Sequence, residues 1–100
     1  MAYEAGTLDQ TIAAAAGDDP ALFAELKAAF AESVWRQIDL LGRARCDANW
    51  TMAGQRLKSI AAGFHATALI ALADEAIAGA PGDPLVLRRL QQFHREFTAR

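Results

Sequence analysis

An apolar residue recurs at every fourth position between residues 22 and 38, and this feature constrains the fold more than any other. The stripe consists of Leu22, Leu26, Phe30, Val34 and Ile38, and Phe23, Trp35 and Leu41 widen it. Because an α-helix turns once every 3.6 residues, this spacing predicts one long helix with a single buried face. Other parts of the chain must cover that face, since an apolar stripe is stable only when it packs against another element.

A shorter helix is predicted before the long one. Thr7-Leu8-Asp9-Gln10 has the pattern of a capping box, in which the threonine and glutamine side chains satisfy free backbone amides at the start of a helix. Leu8 and Ile12 would share the buried side of this helix. Gly17 would end it, because glycine adopts the left-handed backbone conformation without a steric penalty.

Acidic residues followed by proline predict two further helix starts, at Asp18-Asp19-Pro20 and at Asp83-Pro84. An aspartate side chain accepts hydrogen bonds from the first amides of a helix, and proline is well tolerated at the first helical position. Two weaker signals lie between them. Asp47 or Asn49 would cap a third helix, and Thr67 would cap a fourth.

The third, fourth and fifth predicted helices each carry an apolar face. The inward positions are Trp50, Ala53, Leu57, Ile60, Ala61 and Phe64 in the third, Leu69, Leu72, Ala73, Ala76 and Ile77 in the fourth, and Val86, Leu90, Phe93 and Phe97 in the fifth. Both tryptophans are expected to fill the core. Short turns within residues 42–49 and 79–82 favour antiparallel neighbours. We therefore expect a single all-α domain over residues 1–100, an antiparallel up-and-down four-helix bundle with a short additional N-terminal helix.

Composition argues against several functional classes. The formal net charge of −2 gives no basic face for nucleic acid or for an anionic membrane. Cys46 is the only cysteine, so neither an intramolecular disulfide nor a Cys-rich zinc site is expected, and the two histidines lack metal-ligand spacing. The chain has no secretory signal pattern and no apolar run of about 18 residues. We expect a cytoplasmic protein without metal or cofactor.

The third predicted helix contains Gly54-Gln55-Arg56-Leu57-Lys58-Ser59 and is followed by Phe64-His65-Ala66. This sequence resembles the signature of the histidine-containing phosphotransfer (HPt) domains of bacterial two-component phosphorelays. In that family Ala-His-x-Leu-Lys-Gly opens the motif, and a Phe/Leu-Gly-Ala junction closes it about one helix length later. The Leu-Lys pair and both flanks of the junction match. The resemblance implies a helical bundle whose partners are a response-regulator receiver domain or a sensor kinase.

The sequence departs from the HPt signature at the position that carries the chemistry. Gly54-Gln55 stands where the family has alanine and the phosphoacceptor histidine, Ser59 replaces the glycine after the lysine, and His65 replaces the junction glycine. Serine is small enough to keep room for a partner. A histidine at the junction would be strained if the backbone φ there is positive.

Gln55 is not expected to carry a phosphoryl group. A histidine ring nitrogen has an available lone pair near neutral pH, whereas the amide nitrogen of glutamine is delocalised into its carbonyl group. Gln55 lies about 200° around the helix from Leu57, so it faces solvent if Leu57 faces the core. The resemblance then implies no catalytic residue and a receiver-docking surface of Arg56, Lys58, Ser59 and Ala62 around Gln55.

Other interpretations remain open at this stage. Gln55 is also compatible with an ordinary exposed helical glutamine, or with an engineered substitution that blocks phosphorylation. The chain is also compatible with an active phosphotransfer protein that uses His65 or His94, the two histidines present. The remaining alternative is that the chain is a helical dimerisation or scaffold domain.

Overall fold

The computed structural model describes residues 2–99, with side chains from residue 6 onward. All regular secondary structure in this part of the chain is helical: α1 (Ala2–Ala15), α2 (Pro20–Arg43), α3 (Asp47–Gly63), α4 (Thr67–Ala78) and α5 (Pro84–Thr98). The predicted all-α class is confirmed. Within these limits, no helix combines the length and the apolar character needed to cross a bilayer.

The long helix α2 sets the dimensions of the molecule. Its 24 residues span about 36 Å at 1.5 Å per residue, within a body of 42 × 21 × 18 Å. Both α3 and α5 pack against α2, and both also pack against α4. Helix α1 lies against α2 and α5. Each of the helices α2 to α5 therefore has at least two neighbours that cover its apolar face.

The predicted apolar faces supply the core. The α2 stripe is buried at Phe30, Val34, Ile38 and Leu41, whereas Leu22 near its beginning is exposed. The core residues of the other helices are Leu8 and Ile12 in α1, Trp50, Ala53, Leu57 and Ala61 in α3, Leu69, Ala73 and Ala76 in α4, and Val86, Leu90, Phe93 and Phe97 in α5. Their burial confirms the helical periodicity from which these faces were predicted.

The two tryptophans have different environments, so the prediction that both fill the core was wrong for one of them. Trp50 is buried in the core, and its indole Nε1 donates a hydrogen bond to the carbonyl oxygen of Ala76 at 2.6 Å, which links α3 to α4. Trp35 is 45% exposed, and its ring lies 5.3 Å from that of His94 on α5. Position 35 is one residue, about 100°, away from the buried Val34, which places it at the edge of the core.

The acid-proline signals mark helix starts as predicted. Oδ1 of Asp19 accepts hydrogen bonds from the amides of Ala21 and Leu22 at 3.0 and 3.2 Å. Oδ1 of Asp83 accepts from the amide of Leu85 at 3.0 Å. These bonds satisfy amides that have no partner within their own helix, so they fix where α2 and α5 begin.

The other predicted caps were wrong. Helix α1 already begins at Ala2, so Thr7 lies inside it and its carbonyl accepts a hydrogen bond from the Thr11 hydroxyl. Ala2, Glu4 and Ala5, on the N-terminal side of Thr7, are residue types that favour a helix, and the helix extends through them beyond the apparent capping box. The caps of α3 and α4 are Cys46 and Ala66, neither of which makes a side-chain capping bond. Asp47 and Thr67 are instead the first helical residues, and Asn49 lies within α3.

Candidate functional site

Gln55 occupies the midpoint of α3 and is exposed to solvent. Leu57 and Ala53 anchor the opposite side of the helix in the core. The helical period predicted this orientation, and the structure confirms it. Arg56, Lys58, Ser59 and Ala62 are exposed around Gln55. We call these five residues the docking face.

Gly54 explains how closely α3 approaches α4. A Cβ atom at this buried position would lie only 2.8 Å from Cγ1 of Ile77 on α4, closer than nonbonded carbon atoms pack. An alanine here, as in the HPt signature, would force Ile77 to move. The close packing of α3 on α4 therefore accounts for the glycine that precedes Gln55.

Lys58 reaches across to α4 and forms an ion pair with Asp74. Its Nζ lies 2.8 Å from Oδ1 of Asp74, and both side chains are about half exposed. Sequence periodicity gave no sign of this contact, because it joins two helices. An exposed pair of this kind contributes about 0–1 kcal/mol. Lys58 can therefore exchange Asp74 for a partner's carboxylate at little energetic cost.

On its other side, the docking face borders a groove between α2 and α3. Gln37 of α2 and Met52, Gln55, Arg56, Ser59 and Ile60 of α3 line this groove. Gln37 is only 9% exposed, and among the described residues no hydrogen-bond donor reaches its side-chain oxygen. Sequence analysis missed Gln37. A signal was present, since Val34, Gln37 and Leu41 follow the helical spacing of the buried face.

His65 follows the end of α3 with a backbone φ of +54°. Its amide donates to the carbonyl of Ala62 at 3.1 Å, and the amide of Ala66 donates to the carbonyl of Ala61 at 2.9 Å. This pair of bonds is the Schellman motif, whose central residue takes the left-handed conformation and is usually glycine. The position where HPt domains carry a glycine therefore has the backbone that favours glycine, and His65 is strained there as anticipated.

Replacing His65 with glycine is expected to stabilise the folded chain by about 0.5–1 kcal/mol. Glycine removes the steric cost of the positive φ, although it also increases the freedom of the unfolded chain and so offsets part of the gain. Chemical denaturation of H65G beside the unmodified protein measures the difference. Gly17, which ends α1 at φ +62°, provides the reciprocal control: Gly17→Ala should destabilise the protein. A loss of stability in H65G would show that the histidine side chain contributes more than its backbone strain costs.

The two histidines lie outside the docking face. His65 is two residues beyond the end of α3. His94 lies on α5, and its Nε2 is 3.1 Å from the carbonyl oxygen of Ala31 on α2. In the tautomer that carries its proton on Nε2, His94 donates to this carbonyl, which ties the ring to α2. Neither ring is near the midpoint of α3, where the family places its reactive imidazole.

The described residues contain no group of three His, Cys, Asp or Glu side chains that could hold a metal ion. The docking face instead offers the carboxamide of Gln55 and the hydroxyl of Ser59 for hydrogen bonding, and the cations of Arg56 and Lys58. This face contains no histidine. No protein-family model matches the chain, and no curated protein or solved structure matches it either.

Proposed function

We propose that the chain is an HPt-like module of two-component phosphorelay signalling, which binds a receiver domain without accepting its phosphate. A sensor kinase is the other partner that this resemblance suggests. In this proposal the module acts in the cytoplasm.

The proposal includes the topology of the helices: α2 to α5 form an antiparallel up-and-down four-helix bundle, and α1 packs against it. The short connections between successive helices, and the contacts of both α3 and α5 with α2 and α4, support this arrangement.

One observation carries the proposal: an exposed carboxamide lies at the centre of α3, where HPt domains present an imidazole. Gln55 is exposed there while Leu57 is buried. The retained lysine and the small residues Ser59 and Ala62 lie on the same side of the helix. The positive φ of His65, at the family's glycine position, is a second supporting feature. The surface thus keeps its means of recognition and lacks a reactive atom.

Each part of the docking face has a role in this interaction. Ser59 and Ala62 leave space for the receiver's backbone to approach the helix. Lys58 and Arg56 attract the acidic pocket in which the receiver carries its phosphoaccepting aspartate. Gln55 donates or accepts a hydrogen bond at the centre of the contact, but its amide nitrogen cannot attack phosphorus because its lone pair is delocalised.

Titration of purified receiver domains with the full chain, followed by incubation with a phosphorylated receiver, tests the proposal. We expect binding to at least one receiver and no acid-labile phosphate on the chain. Ala62→Arg should weaken binding by about tenfold or more, because a long side chain blocks close approach. Ala71→Arg is the matched control, since Ala71 is also exposed but lies on α4 in a groove facing α5. Stable labelling of the unmodified chain would contradict the proposal.

A further inference from the structure

One side of α2 presents an exposed leucine near each end of the helix. Leu22 is 40% exposed and Leu40 is 41% exposed. The interval from residue 22 to residue 40 equals five full helical turns, so the two leucines lie on the same side of α2, about 27 Å apart. Between them, the same side carries the small residues Ala29 and Ser33. One exposed leucine is common at a protein surface, whereas two in line on one helix mark the ends of a candidate contact surface.

A cleft lies beside Leu40, between the end of α2 and the beginning of α3. Its apolar lining comes from both helices and consists of Leu40, Ala44, Met52 and Ala53. Arg43 and Arg56 line the same cleft, and Arg45 lies next to Arg43. Within the described part of the chain, no carboxylate forms an ion pair with Arg45 or Arg56. The cleft therefore suits an aliphatic side chain that has acidic residues beside it.

The other end of α2 has this complementary character. Leu22 follows Asp18 and Asp19, and Glu25 lies on the next turn of the helix. All four residues are exposed, and no cation among the described residues forms an ion pair with Glu25. The two ends of one helix cannot touch each other. The acidic end of α2 can therefore meet the cleft only in a second copy of the chain.

The distribution of charge along α2 determines the direction in which a second copy would pack. Residues 18–32 contain four acidic residues and one lysine, whereas residues 33–45 contain three arginines and one acidic residue. Two α2 helices aligned antiparallel therefore place each acidic half against a basic half, whereas a parallel alignment places like charges together. An antiparallel pair is related by a two-fold axis, so every contact occurs twice.

We propose that the exposed side of α2 is a dimerisation surface, on which a second copy of this chain packs antiparallel. Leu22 of each copy enters the cleft beside Leu40 of the other. The same alignment brings Glu25 within one residue of Arg36 of the second copy. Arg36 is paired with Glu32 at 2.9 Å, but both side chains are more than half exposed, so this pair is exchanged at little cost. The inference does not depend on the proposed function.

Sedimentation equilibrium of the full chain over a concentration series tests the inference. We expect a monomer–dimer equilibrium that approaches about 21 kDa, twice the chain mass of 10.7 kDa, and that weakens as the salt concentration rises. Leu22→Gln and Leu40→Gln should each raise the dimer Kd about tenfold or more, because each removes the same two leucine contacts. Leu85→Gln is the matched control, since Leu85 is 49% exposed on α5, and it should leave the dimer unchanged. A chain that stays monomeric at every concentration would overturn the inference.

Charge reversal provides a test that a loss of folding cannot imitate. Glu25→Arg and Arg36→Glu should each weaken the dimer about tenfold or more, because each places like charges opposite one another twice. An equimolar mixture of E25R and R36E should dimerise again, since the charges of one variant are opposite to those of the other, and the double variant should dimerise by itself. Arg88→Glu, at an exposed position of α5, should have no effect. A dimer that persists in both single variants, or a mixture that remains monomeric, would show that α2 is not the contact.

Discussion

Under the proposed function, replacing Gln55 with histidine is expected to let a phosphorylated receiver label the chain. The side chain at position 55 is exposed at the centre of α3, so an imidazole there meets no steric obstacle and is open to a docked partner. An unprotonated imidazole has a ring nitrogen with a free lone pair, which is the atom that attacks phosphorus. In the proposed function, the substitution supplies the imidazole nitrogen that HPt domains use to accept phosphate.

The transfer itself is a simple displacement. The neutral imidazole nitrogen attacks phosphorus, the bond between phosphorus and the receiver's aspartate oxygen breaks, and the free carboxylate leaves. The phosphorylated ring then loses its remaining N–H proton to solvent. A nearby cation stabilises the charge on the phosphoryl oxygens during this step. Lys58 lies one turn from position 55 and is restrained only by its exposed pair with Asp74.

Acid-labile radioactivity on the chain after incubation with a phosphorylated receiver measures the result. Arg56→His is the matched control, since it places an exposed histidine on the same helix about 100° away from position 55. Labelling of Q55H but not of R56H would locate the acceptor position at residue 55. The assignment of Gln55 would be refuted if Q55H bound the receiver as tightly as the unmodified chain and still remained unlabelled.

The fold was largely predictable because its determinants are local. The apolar stripes of α2 and α5, and the aspartates that cap them, act within one or two turns of a single helix, so periodicity and capping rules identify them. Where local signals compete, prediction failed. Thr7 has a valid capping pattern, yet α1 continues through it because the preceding residues also favour a helix.

The candidate site was predictable only in part, for a related reason. The exposure of Gln55 and Lys58 follows from the period of α3 alone. The ion pair between Lys58 and Asp74, and the contact that requires Gly54, both depend on how α3 packs against α4. Helix packing brings together residues far apart in the sequence, and a single sequence does not show which of them meet. The unpaired oxygen of Gln37 became visible only when its surroundings were known.

Trp50 and Trp35 show how strongly position, rather than residue type, determines a side chain's contribution. Trp50 is 1% exposed and bonded to the Ala76 carbonyl across the α3–α4 contact, whereas Trp35 is 45% exposed beside His94. Removing a buried indole leaves a large cavity that a close-packed core cannot refill. Removing a half-exposed indole leaves a smaller cavity, because water already reaches much of the ring, and it removes the contact with His94.

Trp50→Ala is therefore expected to lower the free energy of unfolding by about 3–5 kcal/mol, whereas Trp35→Ala should cost about 1 kcal/mol or less. The loss in W50A is a large fraction of the roughly 5–15 kcal/mol by which a folded domain is typically stable, so W50A should be partly unfolded at 37 °C.

Urea denaturation followed by far-ultraviolet circular dichroism measures the free energy of unfolding of both variants, because the signal reports helix content and does not depend on which tryptophan remains. Trp50→Phe should fall between them, because the ring still fills most of the space and the Ala76 carbonyl keeps its bond from the Gly79 amide. Equal losses in W50A and W35A would mean that the α3–α4 contact does not organise the core in the way that its geometry indicates.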